Sequence, residues 1–494
     1  MNKLFDEPVW LGIDLGTQSV RVVAISATGE IAGSGVANLT SQRDGERHEQ
    51  DPDEWWSAVI GAARSTVAGI APAAIRGLAV DGTSGTILLT DREGNALTPG
   101  LMYDDARAVG EAQLVNRVGA QMWSTLGYNR MPASWGLPKL LWLLRTQPEL
   151  ISPHTRLAHQ TDFINRKLVG RPVITDTSNA LKSGCNLLDD TWPHDVFSAL
   201  GVPPALLPPL ARSGAPRGTV GAAAAALTGF PEGTPVFAGM TDGCAAQIGA
   251  GALAPGSWNS VLGTTLVLKG VTPLPVKDPN GVVYSHRSPS GHWLPGGASS
   301  VGAGILTKHF PDRDLEALNA QAAAREPASV IAYALAGRGE RFPFHASDAE
   351  GFILGEPTDE ADRYAALLQG IGFVERLCFD YLDLLGAPVG GELRLTGGGA
   401  KSHYWCQLRA DILGRPVTIP ENAEAAVGMA VLAAASGRDL AEVAGEMVRV
   451  REVIEPRADR TARFHEPYLR LVDELANRGW LSTVVARHAH RRAK

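Results

Sequence analysis

The stretch Asp14-Leu15-Gly16-Thr17-Gln18-Ser19 puts an acid at the end of an apolar run, a glycine just beyond it and three hydrogen-bonding side chains in the turn. Backbone amides and the hydroxyls of Thr17 and Ser19 would donate to phosphate oxygens, and Gly16 would let the backbone come close. Asp14 would repel a bare phosphate but would hold a magnesium ion or its waters. The same residues also suit an ordinary hairpin with a polar turn. Gly263-Thr264-Thr265 is a second turn of this kind, and a triphosphate needs donors on two sides. Asp242, in Gly239-Met240-Thr241-Asp242-Gly243, opens a helix whose positive end favours the ionised carboxylate. Such a group can take the proton of a hydroxyl attacking a γ-phosphorus, and a plain helix cap uses the same residue. Gly397-Gly398-Gly399 bares backbone where a flat base or ribose could lie, or where a strand simply turns into a helix. Asp81-Gly82-Thr83-Ser84-Gly85 and Tyr103-Asp104-Asp105-Ala106-Arg107 set short polar side chains beside carboxylates, as a polyol requires. Turns and solvated charge clusters account for these two equally.

Several chemistries are disfavoured by what the sequence lacks. Gly399-Ala400-Lys401-Ser402 resembles the end of a phosphate loop, but the GxxxxGK[ST] pattern is incomplete and no GxGxxG follows the first strand. The twelve histidines never fall into HExxH; His159, His286 and His403 read as surface or structural residues. The eleven tryptophans, Trp55-Trp56 included, lack an accompanying basic stripe and read as core and wall residues, not a nucleic-acid platform.

The elements that position these residues recur in two halves. Strands are expected over 9–15, 20–26 and 31–39, forming a meander. A helix over 52–67 has Asp51 at its cap, Pro52 at its first position and Glu54 three residues past the cap. The apolar run 75–80 reads as a covered central strand, and 86–90 as a hairpin arm turned by 91–94. The stretch 106–200 reads as mostly helical with a polar turn at 175–179. The Pro-, Gly- and Ala-rich stretch 202–233 reads as a connector. The order then restarts: a strand over 235–238, a helix from Cys244, and strands 257–262 and 266–270 around the second turn. Helices 363–385, 403–413 and 423–435 alternate with strands 392–395 and 417–419, and a polar helix over 468–478 precedes a basic tail. A strand, a glycine-threonine turn and another strand in each half imply two related α/β domains around a cleft, residues 1–250 and 251–494.

The chain has 494 residues, 45% of them apolar, and a formal net charge of -7. That length calls for two or three domains, and that charge argues against a nucleic-acid partner. Cys185, Cys244, Cys378 and Cys406 have no CxxC spacing and read as reduced thiols. The start, 1–8, does not resemble a secretory signal, and the alanine-rich 220–227 is too short to span a bilayer. A soluble cytoplasmic protein, monomeric or homodimeric, is the expectation.

In their order and separation these motifs resemble the FGGY family of carbohydrate kinases, over about 9–435. The resemblance implies two RNase H-like domains of the actin, hexokinase and Hsp70 type, and use of ATP and Mg2+. It implies that Gly16, Thr17, Gln18 and Ser19 bind phosphate, that Gly263, Thr264 and Thr265 form the second phosphate turn, and that Gly397, Gly398 and Gly399 bind adenosine. Glu424 to Gly428 would begin the helix closing that side. Asp242 matches the catalytic base, and Asp14 with Asp242 would face the magnesium. Asp81, Thr83, Ser84, Asp104, Asp105 and Asp242 would contact a sugar. Glycerol kinases carry Arg-Glu where this chain has Ser84-Gly85, and xylulokinases Met-His near Thr83-Ser84. Asp81 to Gly94, Ser285-His286 and Gly337 to Pro343 are similar to D-ribulose kinases of cyanobacteria and plants. D-Ribulose is therefore the substrate expected, with xylulose or a pentitol as the alternative and a non-catalytic binding protein below these.

Overall fold

The computed structural model describes residues 4–493; the first three residues and Lys494, which belong to the start and the basic tail read above, lie outside them. Contacts divide the chain into two units. One comprises Met1–Gly251, His286–His292 and Asn422–Arg449; the other comprises Ala252–Ser285, Trp293–Glu421 and Val450–Lys494.

In the first unit the main sheet runs Pro216–Thr219, Pro235–Phe237, Ile75–Gly82, Val9–Leu15, Ser19–Ser26, Ile31–Asn38. The expected meander is present, each strand antiparallel to the next. Ile75–Gly82 lies parallel to Val9–Leu15 and is buried along nearly all its length, which is why it reads as an apolar run. The helix Pro52–Val67 starts as expected, with the Asp51 carboxylate accepting the Asp53 amide. Glu54 does not complete a capping box. It instead accepts from the Thr40 amide (3.1 Å) and hydroxyl (2.8 Å), fastening the chain that leaves the third strand.

Three stretches differ from expectation. The arm Ile87–Thr90 joins a side sheet, ordered Gln42–Asp44, Arg47–Gln50, Gly100–Leu101, Ile87–Thr90, Arg156–His159. The polar turn at 175–179 is a short strand, Thr175–Asp176, running into a helix, Thr177–Ala180, capped by Asp176. The supposed connector 202–233 supplies an edge strand of the main sheet, Pro216–Thr219, and the helix Ala222–Thr228. Short edge strands rich in Pro and Gly carry little periodicity, so no pattern announces them.

In the second unit the strands run Trp293–Ser299, Leu266–Gly270, Trp258–Leu262, Leu393–Thr396, Val417–Pro420, Val450–Ile454. The pairing logic repeats that of the first sheet: antiparallel on one side of Trp258–Leu262 and parallel on the other. The long helix Glu360–Leu384 is buried through most of its length. The helix expected over 468–478 begins much earlier, at Ala458, and runs through Pro467 to Asn477. Both sheets flanked by helices match the two-domain α/β architecture expected.

A single cut at residue 250 leaves out two segments that cluster with the first unit, His286–His292 and Asn422–Arg449. The helix Ala425–Ala434 packs in the first unit, on Val9–Leu15 and on the helix Asp242–Ala250. Glycine permits this. A Cβ at Gly428 would lie 1.9 Å from the Ala245 carbonyl oxygen, and one at Gly12 would lie 1.7 Å from the Ala426 carbonyl oxygen. The helix therefore seats flush on the strand that carries Asp14, and Arg21 pins its first turn through Glu424 at 2.9 Å.

Candidate active site

Three carboxylates gather at one end of the first sheet. Asp14 and Asp81 are register partners on adjacent parallel strands, and a bridge from Gly82 to Thr241 extends the sheet to the residue before Asp242. Asp81 is fully buried, and neither of its carboxylate oxygens meets a protein donor. Burial first, then the charges of Asp14 and Asp242, push its carboxyl well above the usual carboxylate range. Burial also raises Asp14, to about 6, against the lowering effect of the neighbouring Asp81 carboxyl.

Asp242 is the first residue of its helix, and the cap is Thr241. The plain-cap reading of Asp242 therefore fails. Its Oδ1 accepts the Gly243 amide at 2.7 Å. The Thr241 amide is held by the Ser178 hydroxyl at 3.2 Å, and the same hydroxyl meets His286 Nδ1 at 3.2 Å. Lys182 stands close enough to feel the Asp242 charge and donates from Nζ to the Ser84 carbonyl at 3.0 Å. Burial pulls its ammonium down to about 8, opposed by Asp242.

The turn after Asp14 is braced from behind. Gly16 donates to the Ser19 carbonyl (3.1 Å), Gln50 donates to the Thr17 carbonyl (2.6 Å), and the Leu39 amide donates to the Gln18 carbonyl (2.8 Å). The Thr17 and Ser19 side chains, both partly exposed, stay available for a ligand.

The six residues read as sugar contacts separate into different classes. The Ser84 hydroxyl is buried without a partner. Thr83 is committed: its hydroxyl meets Gln160 Oε1 at 2.8 Å and the Thr86 hydroxyl at 2.5 Å. Asp105 is fully buried and accepts from the His48 amide and from Arg107, which also reaches Glu49. Its acceptors are spent on fastening the side sheet, so the sugar-contact reading of Asp105 is corrected. Asp104 is half-exposed and held by Arg43 and His48, whose contacts lower its carboxyl below the usual range against the effect of burial. Of that group, Asp81 and Asp242 stand at the carboxylate end of the sheet, and Thr83 and Ser84 follow directly on the Asp81 strand. Lys182, Ser178 and Gln160 were missed, since isolated polar residues in a helical stretch give no spacing signal.

In the second unit, Gly263 donates to the Thr265 carbonyl at 3.0 Å, closing its turn, while Thr264 is exposed. Gly397 adopts φ 82°, and a Cβ there would lie 2.7 Å from the Leu262 carbonyl oxygen, so this glycine serves the strand-to-helix turn itself. Gly398 is different. It has open space around it and, with Gly399, borders a cavity of about 460 Å³ walled by Leu306, Phe310, Tyr364 and Trp405. Tyr364 donates to Asn319 Oδ1 at 2.9 Å, fixing the amide that faces this cavity.

Comparison with known sequences accounts for both halves. The sequence model of the FGGY family of carbohydrate kinases, N-terminal domain, matches residues 9–249, and that of the C-terminal domain matches 258–437. The chain belongs to the FGGY family of carbohydrate kinases. It is accordingly an ATP-dependent carbohydrate kinase with the two-domain FGGY fold. This FGGY kinase is 30% identical to the xylulose kinase of Streptomyces coelicolor over 449 residues, 88% of this chain and 90% of that protein. The xylulose kinase of Bacillus subtilis is 26% identical, covering 92% of this chain and 94% of its own. Among solved structures, a gluconate kinase from Lactobacillus acidophilus superposes with TM-score 0.85 at 21% identity over 95% of this chain and 98% of that one. A xylulose kinase from Rhodospirillum rubrum superposes with TM-score 0.83 at 24% identity over 94% and 98%. At those identities the structures attest the fold alone. Among the described helices none is long and apolar enough to cross a membrane.

Proposed function

We propose that this kinase transfers the γ-phosphoryl group of ATP to a terminal hydroxyl of a ketopentose in the cytoplasm, with D-xylulose as first substrate and D-ribulose as second. The observation that carries the reading is the gathering of Asp14, Asp81 and Asp242 at one sheet end, with Asp242 opening a helix. The Asp242 carboxylate accepts the proton as the sugar oxygen bonds to phosphorus; the bond from phosphorus to the bridging oxygen breaks and ADP leaves. The positive helix end favours negative charge where Asp242 stands. Asp81, the register partner of Asp14, borders it on the neighbouring strand. Each unit has its own candidate contacts: Thr17 and Ser19 for phosphate in the first, and Thr264 and Thr265 for phosphate with the cavity beside Gly398 for the base in the second.

The residues suit a divalent cation in one respect: three carboxylates at one sheet end, Asp81 among them with no donor among the described residues, are a poor environment for each other and a good one for positive charge. Among the described residues no three ligating side chains stand close enough for direct chelation, so Asp14 and Asp242 would hold magnesium through its waters. Bound there with ATP, the ion would neutralise phosphate charge.

Xylulose takes first place because curated relatives covering about nine-tenths of the chain are xylulose kinases. Ribulose keeps second place on one local observation. The buried, unpartnered Ser84 hydroxyl follows Thr83, where Met-His is the xylulokinase pattern, so this pocket edge reads a hydroxyl differently. A coupled ADP-release assay over D-xylulose, D-ribulose, ribitol and glycerol tests both. The expected order of kcat/KM is xylulose, ribulose, ribitol, glycerol, with at least about tenfold between first and last. ADP release equal on all four, or independent of any sugar, would sink the proposal.

A further inference from the structure

The second unit contains another cavity, of about 450 Å³, that no step of the phosphoryl transfer uses. Its floor is apolar: Ile305, Leu335, Phe352, Ile353 and Leu367 line it, beside Tyr333. Its rim is basic, carrying Lys308, His309, Arg338 and Arg363 against the single acid Glu350.

The surrounding acids do not neutralise that rim. Arg363 donates to His309 Nδ1 at 2.9 Å, and Lys308 donates to the Ala336 carbonyl at 2.8 Å; neither is paired with a carboxylate among the described residues. The acids beside Arg363 on its own helix are engaged elsewhere: Asp359 by Arg325, Glu360 by Arg313, and Asp362 by Ser329 and Thr358. Arg338 lies 3.6 Å from Glu350, with both side chains largely exposed, a weak pairing. Burial and the charges of Arg363 and Lys308 lower the His309 imidazole, in keeping with a concentrated positive field. A cavity of this size with an apolar floor and convergent cations suits a small amphipathic anion.

The helix Gly304–His309 connects this cavity to the one beside Gly398. Ile305, Lys308 and His309 face one cavity, while Ala303, Leu306, Thr307 and Phe310 face the other. At 100° per residue these two sets lie on opposite sides of the helix. The same segment is tied to the second glycine-threonine turn, the Ala303 amide donating to the Gly263 carbonyl (2.9 Å) and the Gly304 amide to the Thr264 carbonyl (3.1 Å).

We propose that the cavity under Arg363 and Lys308 is an effector site for a phosphate or carboxylate anion borne on an apolar body, coupled to the nucleotide through the helix Gly304–His309. The coupling rests on the nucleotide reading given above; the binding does not.

Phenyl phosphate and benzoate are the probes, titrated by calorimetry into the full-length protein saturated with ADP and magnesium, so that the phosphate turns are filled. Lys308→Met combined with Arg363→Ser, both at exposed positions, is the variant, with an unchanged melting temperature as the control for folding. The expected result is at least a tenfold rise in Kd for the variant, and tighter binding of phenyl phosphate than of inorganic phosphate to the parent. Absence of binding to the ADP-saturated protein, equal binding by the variant, or inorganic phosphate binding as tightly as phenyl phosphate would each overturn the site. Phenyl phosphate should also shift the KM for ATP at least twofold in the parent and not in the variant; no shift in the parent removes the coupling. Loss of all sugar-dependent ADP release would count against the proposed function, and the calorimetry would still decide the site.

Discussion

At matching positions the two sheets hold different chemistry. In the first, the parallel partners near the strand ends are Asp14 and Asp81; in the second, the partners at the same step from the end of the central strand are Val261 and Thr396. Thr396 is satisfied locally, donating to Asn259 Oδ1 at 3.0 Å. Buried acids of the second unit are likewise paired: Glu375 with Arg409 through two 2.7 Å bonds, and Asp411 with Arg457. One topology therefore supports a sheet whose buried acids are matched and a sheet where they are left facing each other. Unmatched buried carboxylates are costly to a fold, and that cost is the ground for proposing that this sheet end serves chemistry.

The sharpest test of that contrast is Asp242→Asn. The amide keeps the size and most of the packing but cannot accept the hydroxyl proton. About a thousandfold loss of kcat is expected, with ADP affinity within a few-fold of the parent, measured by coupled ADP release and by calorimetry. Turnover near the parent rate would move the base elsewhere.

The matched side of the comparison breaks differently. Arg409→Met strands the Glu375 carboxylate, which has no exposure, and should cost about 3–5 kcal/mol, seen as a large fall in melting temperature. An unchanged melting temperature would show the pair to be dispensable and the contrast between the units overstated.

Lys139 extends the comparison to cations. Arg409 is buried with a carboxylate, whereas Lys139 is buried with only the Leu101 and Met102 carbonyls on its Nζ, at 3.2 and 2.7 Å. Burial lowers its ammonium from 10.5 to about 7. Between those values the unfolded chain holds a proton that the folded chain does not, so stability rises with pH across that window. Lys139→Met lacks this rise. The stability of parent minus variant should therefore increase by on the order of 3 kcal/mol from pH 7 to pH 10 in denaturant titrations. A flat difference would mean the lysine is charged in the fold.

Sequence patterns exposed the scaffold better than the site. The meander 9–38, the helix Pro52–Val67 and the helix His403–Leu413 follow from period and caps, because local propensity and tertiary burial agree there. The helix Ala425–Ala434 was legible as a helix, but its place against Gly12 was not, since close glycine contacts between distant segments leave no periodic trace. The carboxylates Asp14 and Asp242 stood out because each ends or opens an element beside a glycine turn. The fate of Asp105 could not be foreseen, because only the fold brings His48 and Glu49 to the Asp105–Arg107 turn. Lys182 is the converse case, a residue with no motif that the fold brings beside Asp242.

Asp81→Asn gives the smallest effect and separates cost from use within the carboxylate cluster. In the parent, burial first and then the charges of Asp14 and Asp242 disfavour a charge on Asp81. Asparagine supplies a permanent donor to Asp14 and removes the possibility of that charge. At pH 8 without magnesium the variant should be more stable by about 1 kcal/mol, a rise of a few degrees in melting temperature. Its kcat/KM for the ketopentose should fall, since Asp14 would be held by a donor that can no longer adjust its proton. A variant that gained stability and kept full activity would make Asp81 a structural residue. One that lost stability would show that the cluster is balanced by the fold itself, which would remove the difference between the two sheets as a mark of function.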